Sequence, residues 1–150
     1  MSWRRLQPLV VSVLMLASIA SAGDYDPLRD PQHDLRAAVK EAQVGGKRIL
    51  LVVGGEWCSW CKILDGFIKA TPDVAELWTK HFITVHVNFS EENQNATFLG
   101  QFPVIEGYPH IFVLDKDGRL LHSQETSLLE RGNSYSRDRL KAFLQAWTPK

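Results

Sequence analysis

The sequence predicts an α/β protein with a mixed central sheet and helices on both faces. Its first half alternates helical and strand patterns, and parallel strands connected in this way need crossover helices. Its second half has two short strand patterns separated by Asp115-Lys116-Asp117-Gly118, which predicts an antiparallel hairpin. Because both faces of such a sheet are apolar, helices must cover each of them.

The first 22 residues are predicted to be a cleaved signal peptide. Trp3-Arg4-Arg5 gives a positive start, residues 9–20 are nearly all apolar, and Ala20-Ser21-Ala22 is a small-x-small pattern for cleavage before Gly23. The apolar core has about a dozen residues, whereas a membrane span needs roughly 20. An uncleaved N-terminal anchor is the alternative.

The rest of the chain has the composition of one ordinary folded domain. Lysine plus arginine and aspartate plus glutamate number 17 each, so the formal net charge is zero. A nucleic-acid-binding surface would need clustered basic residues, which this sequence lacks. Residues 23–32 are polar and contain two prolines, and are expected to form a flexible mature N-terminus. The domain itself is expected over residues 33–150, a length that allows a real core.

Two helical patterns flank a buried strand at the start of the domain. Asp34 is expected to cap the first helix, and Gly45-Gly46 to end it. Its buried positions recur at three and four residues: Leu35, Ala38, Val39 and Ala42. Residues 49–53 are apolar at every position, as expected for a central strand covered on both faces. The second helix follows Cys58, and Gly66 within it predicts a bend or close packing.

The remaining elements follow from propensity and turn chemistry. Thr71-Pro72-Asp73 predicts the start of a third helix, because threonine is a favoured N-cap and proline a favoured first residue. Residues 82–89 are rich in β-branched and aromatic residues, which predicts a strand. Next come a short helix or ordered loop, the two hairpin strands and an amphipathic helix: residues 91–101, 110–114, 119–123 and 138–147.

The only two cysteines, Cys58 and Cys61, lie where the second helix begins. There the free N–H groups and the helix dipole favour a thiolate over a thiol. The thiolate is the attacking species in thiol–disulfide exchange. A structural bridge across so small a loop would stabilise the fold little. The pair is therefore better explained by redox chemistry.

A metal half-site is the weaker interpretation of the cysteine pair. Zinc usually takes four ligands, and the chain has no second cysteine pair. The five histidines are scattered. His110, beside Pro109, is the one candidate for a position near the cysteines, and its favoured interpretation is a strand residue with one face partly exposed. No metal site is predicted.

Four stretches together match a known family. They are the buried strand, the cysteine segment, a turn and the hairpin: residues 49–53, Glu56-Trp57-Cys58-Ser59-Trp60-Cys61-Lys62, Gly107-Tyr108-Pro109 and residues 111–122. Over residues 33–147 the chain resembles the thioredoxin superfamily, and in particular the exported thioredoxin-like thiol–disulfide oxidoreductases. The resemblance implies a thioredoxin-like fold.

The resemblance also implies roles for individual residues. Cys58 matches the exposed attacking cysteine of the family, and Cys61 matches the buried resolving cysteine. Pro109 is expected to be cis, in a loop that pairs with an extended substrate. The implied substrate-binding residues flank the pair and the proline: Trp57, Ser59, Trp60, Tyr108 and Pro109.

The chain departs from the family pattern at a few positions. Val52 stands where thioredoxins often carry a buried aspartate that assists proton transfer. Glu56 is the nearest acid in sequence, and with Lys62 it is expected to modulate the pair. Ser59-Trp60 between the cysteines and Tyr108 before the proline are also unusual, which bears on the reduction potential and on substrate choice.

The implied function is an exported, periplasmic or secreted thiol–disulfide oxidoreductase that reduces or exchanges disulfides of protein substrates. Its partners would be those substrates and a protein that donates or accepts electrons, without nucleic acid or membrane insertion after signal cleavage. No bound cofactor is expected, because the Cys58–Cys61 pair is itself the redox centre. The alternative is a non-catalytic thioredoxin-like module that binds peptides or a metal.

Overall fold

A computed structural model describes residues 23–150, so the predicted signal peptide over residues 1–22 lies outside the described residues. In the described part of the chain, no helix combines the length and apolar character that a membrane crossing requires. The elements in chain order are α1 (Pro31–Gly45), β1 (Arg48–Gly54), α2 (Ser59–Ala70), α3 (Pro72–His81), β2 (Phe82–Asn88), α4 (Ala96–Leu99), β3 (His110–Leu114), β4 (Leu120–Glu125), a 3-10 helix (Thr126–Leu129), β5 (Glu130–Arg131), β6 (Ser134–Tyr135) and α5 (Arg137–Ala146).

The central sheet has four strands in the order β2-β1-β3-β4. Strand β1 runs parallel to β2 and antiparallel to β3, and β3 runs antiparallel to β4. At the end of β1, Val53 pairs with Val87 on one side and with His110 on the other. The predicted mixed sheet flanked by helices is confirmed.

Strand β1 is buried on both faces, which explains its unbroken apolar sequence. Leu50 and Val52 face one cluster, which also holds side chains of α2, α3 and α5 and both cysteines. The alternate residues face a second cluster with side chains of α1 and α4: Ile49, Leu51 and Val53. Because successive strand residues point to opposite faces, β1 separates the cysteine side of the core from the α1 side.

The N-terminal segment, residues 23–30, packs on the domain instead of forming the flexible tail expected from its polar sequence. Tyr25 is only 8% exposed and belongs to the cysteine-side cluster. Its backbone N–H donates to Glu56 Oε1 at 3.2 Å, and Asn93 donates to the Pro27 carbonyl at 2.8 Å. Burial of one aromatic ring, with two long-range hydrogen bonds, is what holds a segment of mostly polar residues in place.

Two helix details differ from the sequence prediction. Helix α1 is capped by Asp30, which accepts from the Gln32 N–H at 2.9 Å, and not by Asp34. The Asp34 carboxylate instead pairs with Arg29 at 2.7 Å, because Pro31 at the first helical position places Asp34 inside the first turn. Helix α2 runs continuously through Gly66, and a Cβ there would meet nothing within 4 Å, so the glycine does not serve close packing.

Two partly or fully buried histidines are expected to make stability depend on pH. Burial lowers the pKa of His86 and of His110 below the ordinary value of about 6.5. The unfolded chain therefore binds more protons than the native protein once the pH falls below about 6.5. The free energy of unfolding should decline from pH 7 downward and level off below the native pKa values.

Urea unfolding between pH 7.5 and pH 5 measures this dependence. A double variant, His86→Gln and His110→Gln, should have a flatter profile than the parent protein over this range. The matched control is His33→Gln, since His33 lies on the exposed surface. If the free energy of unfolding of the double variant fell with pH as steeply as that of the parent protein, the assignment of this dependence to His86 and His110 would be contradicted.

Candidate active site

The backbone places Cys58 at the N-terminal end of α2. Strand β1 ends at Gly54, a tight turn follows, and the Cys58 N–H donates to the Gly55 carbonyl at 3.0 Å. Cys58 is the N-cap of α2, with φ −85° and ψ 103°, and its Sγ accepts from the Cys61 N–H at 3.2 Å. A negative charge on this sulfur would therefore be stabilised by an amide donor and by the helix dipole.

Cys58 and Cys61 form a disulfide, with their Cα atoms 5.3 Å apart. The expectation that Cys58 is exposed is wrong for this oxidised form: Cys58 is 3% exposed and Cys61 is 2% exposed. The Cys58 sulfur turns toward the helix to cap it and to bond Cys61, which draws it into the core cluster. Little of the disulfide is therefore accessible to a partner in this form.

Gly54 allows the Cys61 sulfur to lie directly on the backbone of β1. A Cβ at position 54 would overlap Cys61 Sγ, and it would lie 3.2 Å from the Tyr25 hydroxyl oxygen. The sulfur and the phenol end thus share the space that a side chain would otherwise fill. Sequence reasoning missed Tyr25, although it is the one aromatic residue in an otherwise polar segment.

On the side of Cys61 that faces β1, the packed side chains are uncharged. Val52 is 2% exposed and pairs with His86 of β2, so no carboxylate occupies this position. The Tyr25 ring packs edge-on to His86 with centroids 5.1 Å apart. Burial, with added repulsion from Asp24 and Asp65, raises the pKa of Tyr25, so this phenol keeps its proton and can only donate or accept hydrogen bonds as a neutral group.

Glu56 and Lys62, the two predicted modulating residues, both lie on the exposed surface. Glu56 accepts the Tyr25 N–H, so its observed contact fastens the N-terminal segment. A cavity of about 310 Å³ is lined by both residues and also reaches Cys61 and Asp65. Their charges therefore face the solvent-filled side of the cysteine pair.

The Tyr108–Pro109 peptide bond is cis, the conformation that the resemblance implied. Pro109 precedes β3, whose first residue His110 pairs with Val53 near the end of β1. The proline loop and the turn that leads to Cys58 therefore lie at the same edge of the sheet. The Pro109 carbonyl accepts the Thr126 hydroxyl, which anchors the loop to the 3-10 helix.

Three aromatic rings connect the cysteine turn to the proline loop. Trp57 is 57% exposed, and its Nε1–H donates to the Phe89 carbonyl at 2.7 Å. Its ring meets Tyr108 edge-on at 5.7 Å, and Tyr108 stacks on Phe89 at 4.8 Å. Phe89 was not predicted as a site residue; its only signal in the sequence is its position at the end of the strand pattern.

Trp60 and Ser59 take different positions from Trp57 and Tyr108. Trp60 is half-buried and packs edge-on against Tyr135 at 5.6 Å, on the β6 side of α2. Ser59 is exposed as the first residue of α2. The structure thus brings Trp57 and Tyr108 into one surface and leaves Trp60 on another.

His110 lies in β3, on the opposite face of the sheet from the cysteines. Its favoured interpretation as a strand residue is therefore confirmed, but at 4% exposure it is buried and not partly exposed. Its neighbour Ile111 belongs to the cysteine-side cluster, whereas His110 packs on Phe112 at 4.7 Å in the other cluster. The His110 Nε2 lies 2.8 Å from the Ser123 hydroxyl. Within residues 23–150, no three histidine, cysteine or acidic side chains group together as metal ligands would.

Comparison with known proteins identifies the family that has this architecture. The model of a family described as thioredoxin-like matches residues 30–116, which include β1, the disulfide and β3. The chain belongs to the thioredoxin-like family. A search of the curated proteins found no match.

Solved thioredoxin-like structures share the fold at low sequence identity. A disulphide isomerase from Xylella fastidiosa Temecula1 superposes with a TM-score of 0.69 at 23% identity, covering 81% of this chain and 94% of that chain. The reduced C-terminal domain of DsbD from Neisseria meningitidis gives 0.58 at 18% identity, covering 77% and 96%. A poplar thioredoxin h gives 0.52 at 17%, covering 77% and 88%. A thioredoxin-like fold with a Cys-x-x-Cys disulfide supports oxidoreductase chemistry in general.

Proposed function

We propose that this protein is an exported thiol–disulfide oxidoreductase that reduces or exchanges disulfides of protein substrates through Cys58 and Cys61. The observation that carries the proposal is the Cys58–Cys61 disulfide at the N-terminus of α2, at the sheet edge where the Tyr108–Pro109 loop lies. The neighbouring aromatic side chains of Trp57 and Tyr108 offer the surface for the substrate.

In the reducing direction, the Cys58 thiolate attacks one sulfur of a substrate disulfide. A Cys58–substrate bond forms, the substrate S–S bond breaks, and the departing sulfur takes up a proton. Cys61 then loses its proton and attacks Cys58 Sγ, which releases the second substrate thiol and forms the Cys58–Cys61 disulfide. Two electrons pass from the cysteine pair to the substrate, and the reverse sequence oxidises a dithiol.

The described residues support each of these steps. The Cys61 N–H and the N-terminus of α2 stabilise the Cys58 thiolate, and Gly54 lets Cys61 sit one helical turn away, against the strand. Burial raises the pKa of the Tyr25 phenol, so it stays protonated, and it lies in the same core cluster as Cys61. The redox centre is then the pair alone, without a bound cofactor, and a partner protein donates or accepts the electrons.

Insulin reduction tests the proposal. The wild-type protein should accelerate the precipitation of insulin chains by dithiothreitol, and Cys58→Ser should lower the rate to the uncatalysed background. The matched control is Gln145→Ala, an exposed residue of α5 outside the predicted site, with circular dichroism to verify folding. Equal rates for the wild type and Cys58→Ser would overturn the enzyme proposal and favour a binding module.

The reduction potential of the pair decides the physiological direction. Equilibration with glutathione, followed by thiol alkylation and mass spectrometry, measures it. A potential of about −270 mV, as in thioredoxin, indicates a reductase, and one of about −120 mV, as in strong oxidants, indicates an oxidase.

Export has a separate test. Protein isolated from the extracytoplasmic fraction of expressing cells should begin at Gly23 when its N-terminus is sequenced. A chain that still carries residues 1–22 and stays with the membrane would contradict cleavage and support an anchor.

A further inference from the structure

A groove of about 640 Å³ lies beside Trp57, and none of its lining residues belongs to α2. Three segments meet there: the N-terminal segment at Tyr25 and Pro27, the turn at Glu56 and Trp57, and the loop over residues 88–94. The exchange mechanism uses none of the loop residues. The groove nevertheless adjoins the redox site, because Trp57 is the residue before Cys58.

Side-chain hydrogen bonds hold the shape of the groove. The Asn88 amide donates to the Ser90 hydroxyl at 3.0 Å and to the Asn93 carbonyl at 2.8 Å. The Asn93 amide donates in turn to the Pro27 carbonyl at 2.8 Å, which ties the loop to the N-terminal segment. The groove is thus built by the fold and does not have to form when a ligand arrives.

The groove combines an aromatic wall with an acidic rim. Most of its lining area is apolar, and its aromatic lining residues include Trp57 and Phe89. Glu56, Glu91 and Glu92 stand exposed around it, and no lysine or arginine lines it. A hydrogen bond from the Ser90 side chain lowers the pKa of Glu92, so this carboxylate stays charged at neutral pH.

We propose that this groove binds a lysine or arginine side chain of the protein substrate, close in sequence to the substrate disulfide that Cys58 attacks. The proposal rests on the proposed function, since it names the substrate class of the same site. The chain of three rings from Trp57 through Tyr108 to Phe89 leads from the cysteine turn to the groove. A peptide engaged at Cys58 therefore passes the groove within a few residues.

Charge and shape complementarity select this occupant. The apolar stem of lysine or arginine packs on aromatic rings, and its cationic head binds carboxylates and the faces of tryptophan and phenylalanine. An acidic side chain would be repelled by three carboxylates. A purely apolar side chain would displace water from these carboxylates without offering them a hydrogen bond or an opposite charge.

Single-turnover kinetics with matched peptides tests the proposal. The probes are three synthetic peptides with one disulfide each, which differ only in carrying arginine, glutamine or glutamate two residues from a cysteine. The pre-reduced protein is mixed with each oxidised peptide, and the second-order rate constant is measured by acid quench and mass spectrometry. The wild type should react about tenfold faster with the arginine peptide than with the glutamine peptide, as a few exposed ion-pair and cation–π contacts allow.

Two double variants, each lacking two carboxylates, test whether the groove causes the preference for the arginine peptide. In Glu91→Gln/Glu92→Gln the arginine-to-glutamine rate ratio should fall to about two. In the control Glu76→Gln/Asp138→Asn, which removes two exposed carboxylates from α3 and α5, the ratio should stay at the wild-type value. Added salt should lower the ratio for the wild type and the control alike.

The outcomes separate the two proposals. Equal wild-type rates for the arginine and glutamine peptides would overturn the groove proposal and leave the oxidoreductase function standing. If Glu91→Gln/Glu92→Gln had the same arginine-to-glutamine rate ratio as the wild type, the groove proposal would also be overturned. No reaction with any of the three peptides would overturn the proposed function and the groove proposal together.

Discussion

Replacing Cys61 with serine is expected to trap the protein on its substrates as a mixed disulfide. Cys61 is the only other thiol of the chain, and its sulfur is held against Cys58 by the first turn of α2. Without it, the bond between Cys58 and the substrate has no internal thiol to break it. Captured substrate should increase at least tenfold over the wild type, in which resolution removes the intermediate.

Non-reducing electrophoresis of an alkylated mixture with oxidised insulin measures this product, and mass spectrometry identifies the bonded cysteine. The matched control is Cys58→Ser, which leaves Cys61 as the only thiol of the chain and should capture almost nothing if Cys58 is the attacking residue. Comparable capture by both variants would contradict the assignment of Cys58 as the attacking residue. Capture by Cys58→Ser but not by Cys61→Ser would mean that Cys61 is the attacking cysteine and Cys58 the resolving one.

Replacing Gly54 with alanine is expected to destabilise the protein by about 1–3 kcal/mol, the usual effect of overpacking a dense core. The added methyl group would occupy the space of Cys61 Sγ and would lie 3.2 Å from the Tyr25 hydroxyl oxygen. The β1 backbone cannot move away easily, because it is hydrogen-bonded to β2 and β3 on its two sides. The disulfide or the Tyr25 ring must therefore shift.

Urea unfolding of the oxidised protein measures the change in the free energy of unfolding, and the reduction potential reports on the disulfide. Gly66→Ala is the matched control, since a Cβ at that α2 position meets nothing within 4 Å. This control should raise the free energy of unfolding by about 0.5–1 kcal/mol, because alanine favours a helix over glycine. A Gly54→Ala protein as stable as the wild type would show that Cys61 does not depend on this close approach.

Local patterns in the sequence were sufficient for most of the regular elements and for the reactive pair, but they did not predict the 3-10 helix, β5 or β6. The apolar run over residues 49–53 and the hairpin around Asp115–Gly118 depend on neighbours in the chain, so their residue types identify them. The same holds for Cys58 and Cys61, whose spacing places them on the first turn of one helix. The N-cap of α1 was misplaced at Asp34 because two aspartates, four residues apart, both suit a helix start.

The same local patterns did not predict contacts between residues that are far apart in the sequence. The polar composition of residues 23–30 predicts a tail, but Tyr25 finds a place in the core beside Cys61. The position of His110 beside Pro109 leaves open which face of the sheet it takes, and strand alternation turns it away from the cysteines. Its orientation depends on which side of β3 the cysteine helix occupies, a relation that only the assembled sheet defines.

The sequence by itself therefore determined the chemistry of this protein, because a cysteine pair at a helix start acts through atoms within one turn of chain. The tertiary structure decided what surrounds that pair. It buried Cys58 in the oxidised form and placed Tyr25 in the same core cluster as Cys61. It also assembled the groove from segments whose hydrogen-bonded residues are 31 to 66 positions apart in the sequence. Contacts over such separations depend on the packing of the whole domain, and local residue patterns carry no direct signal of them.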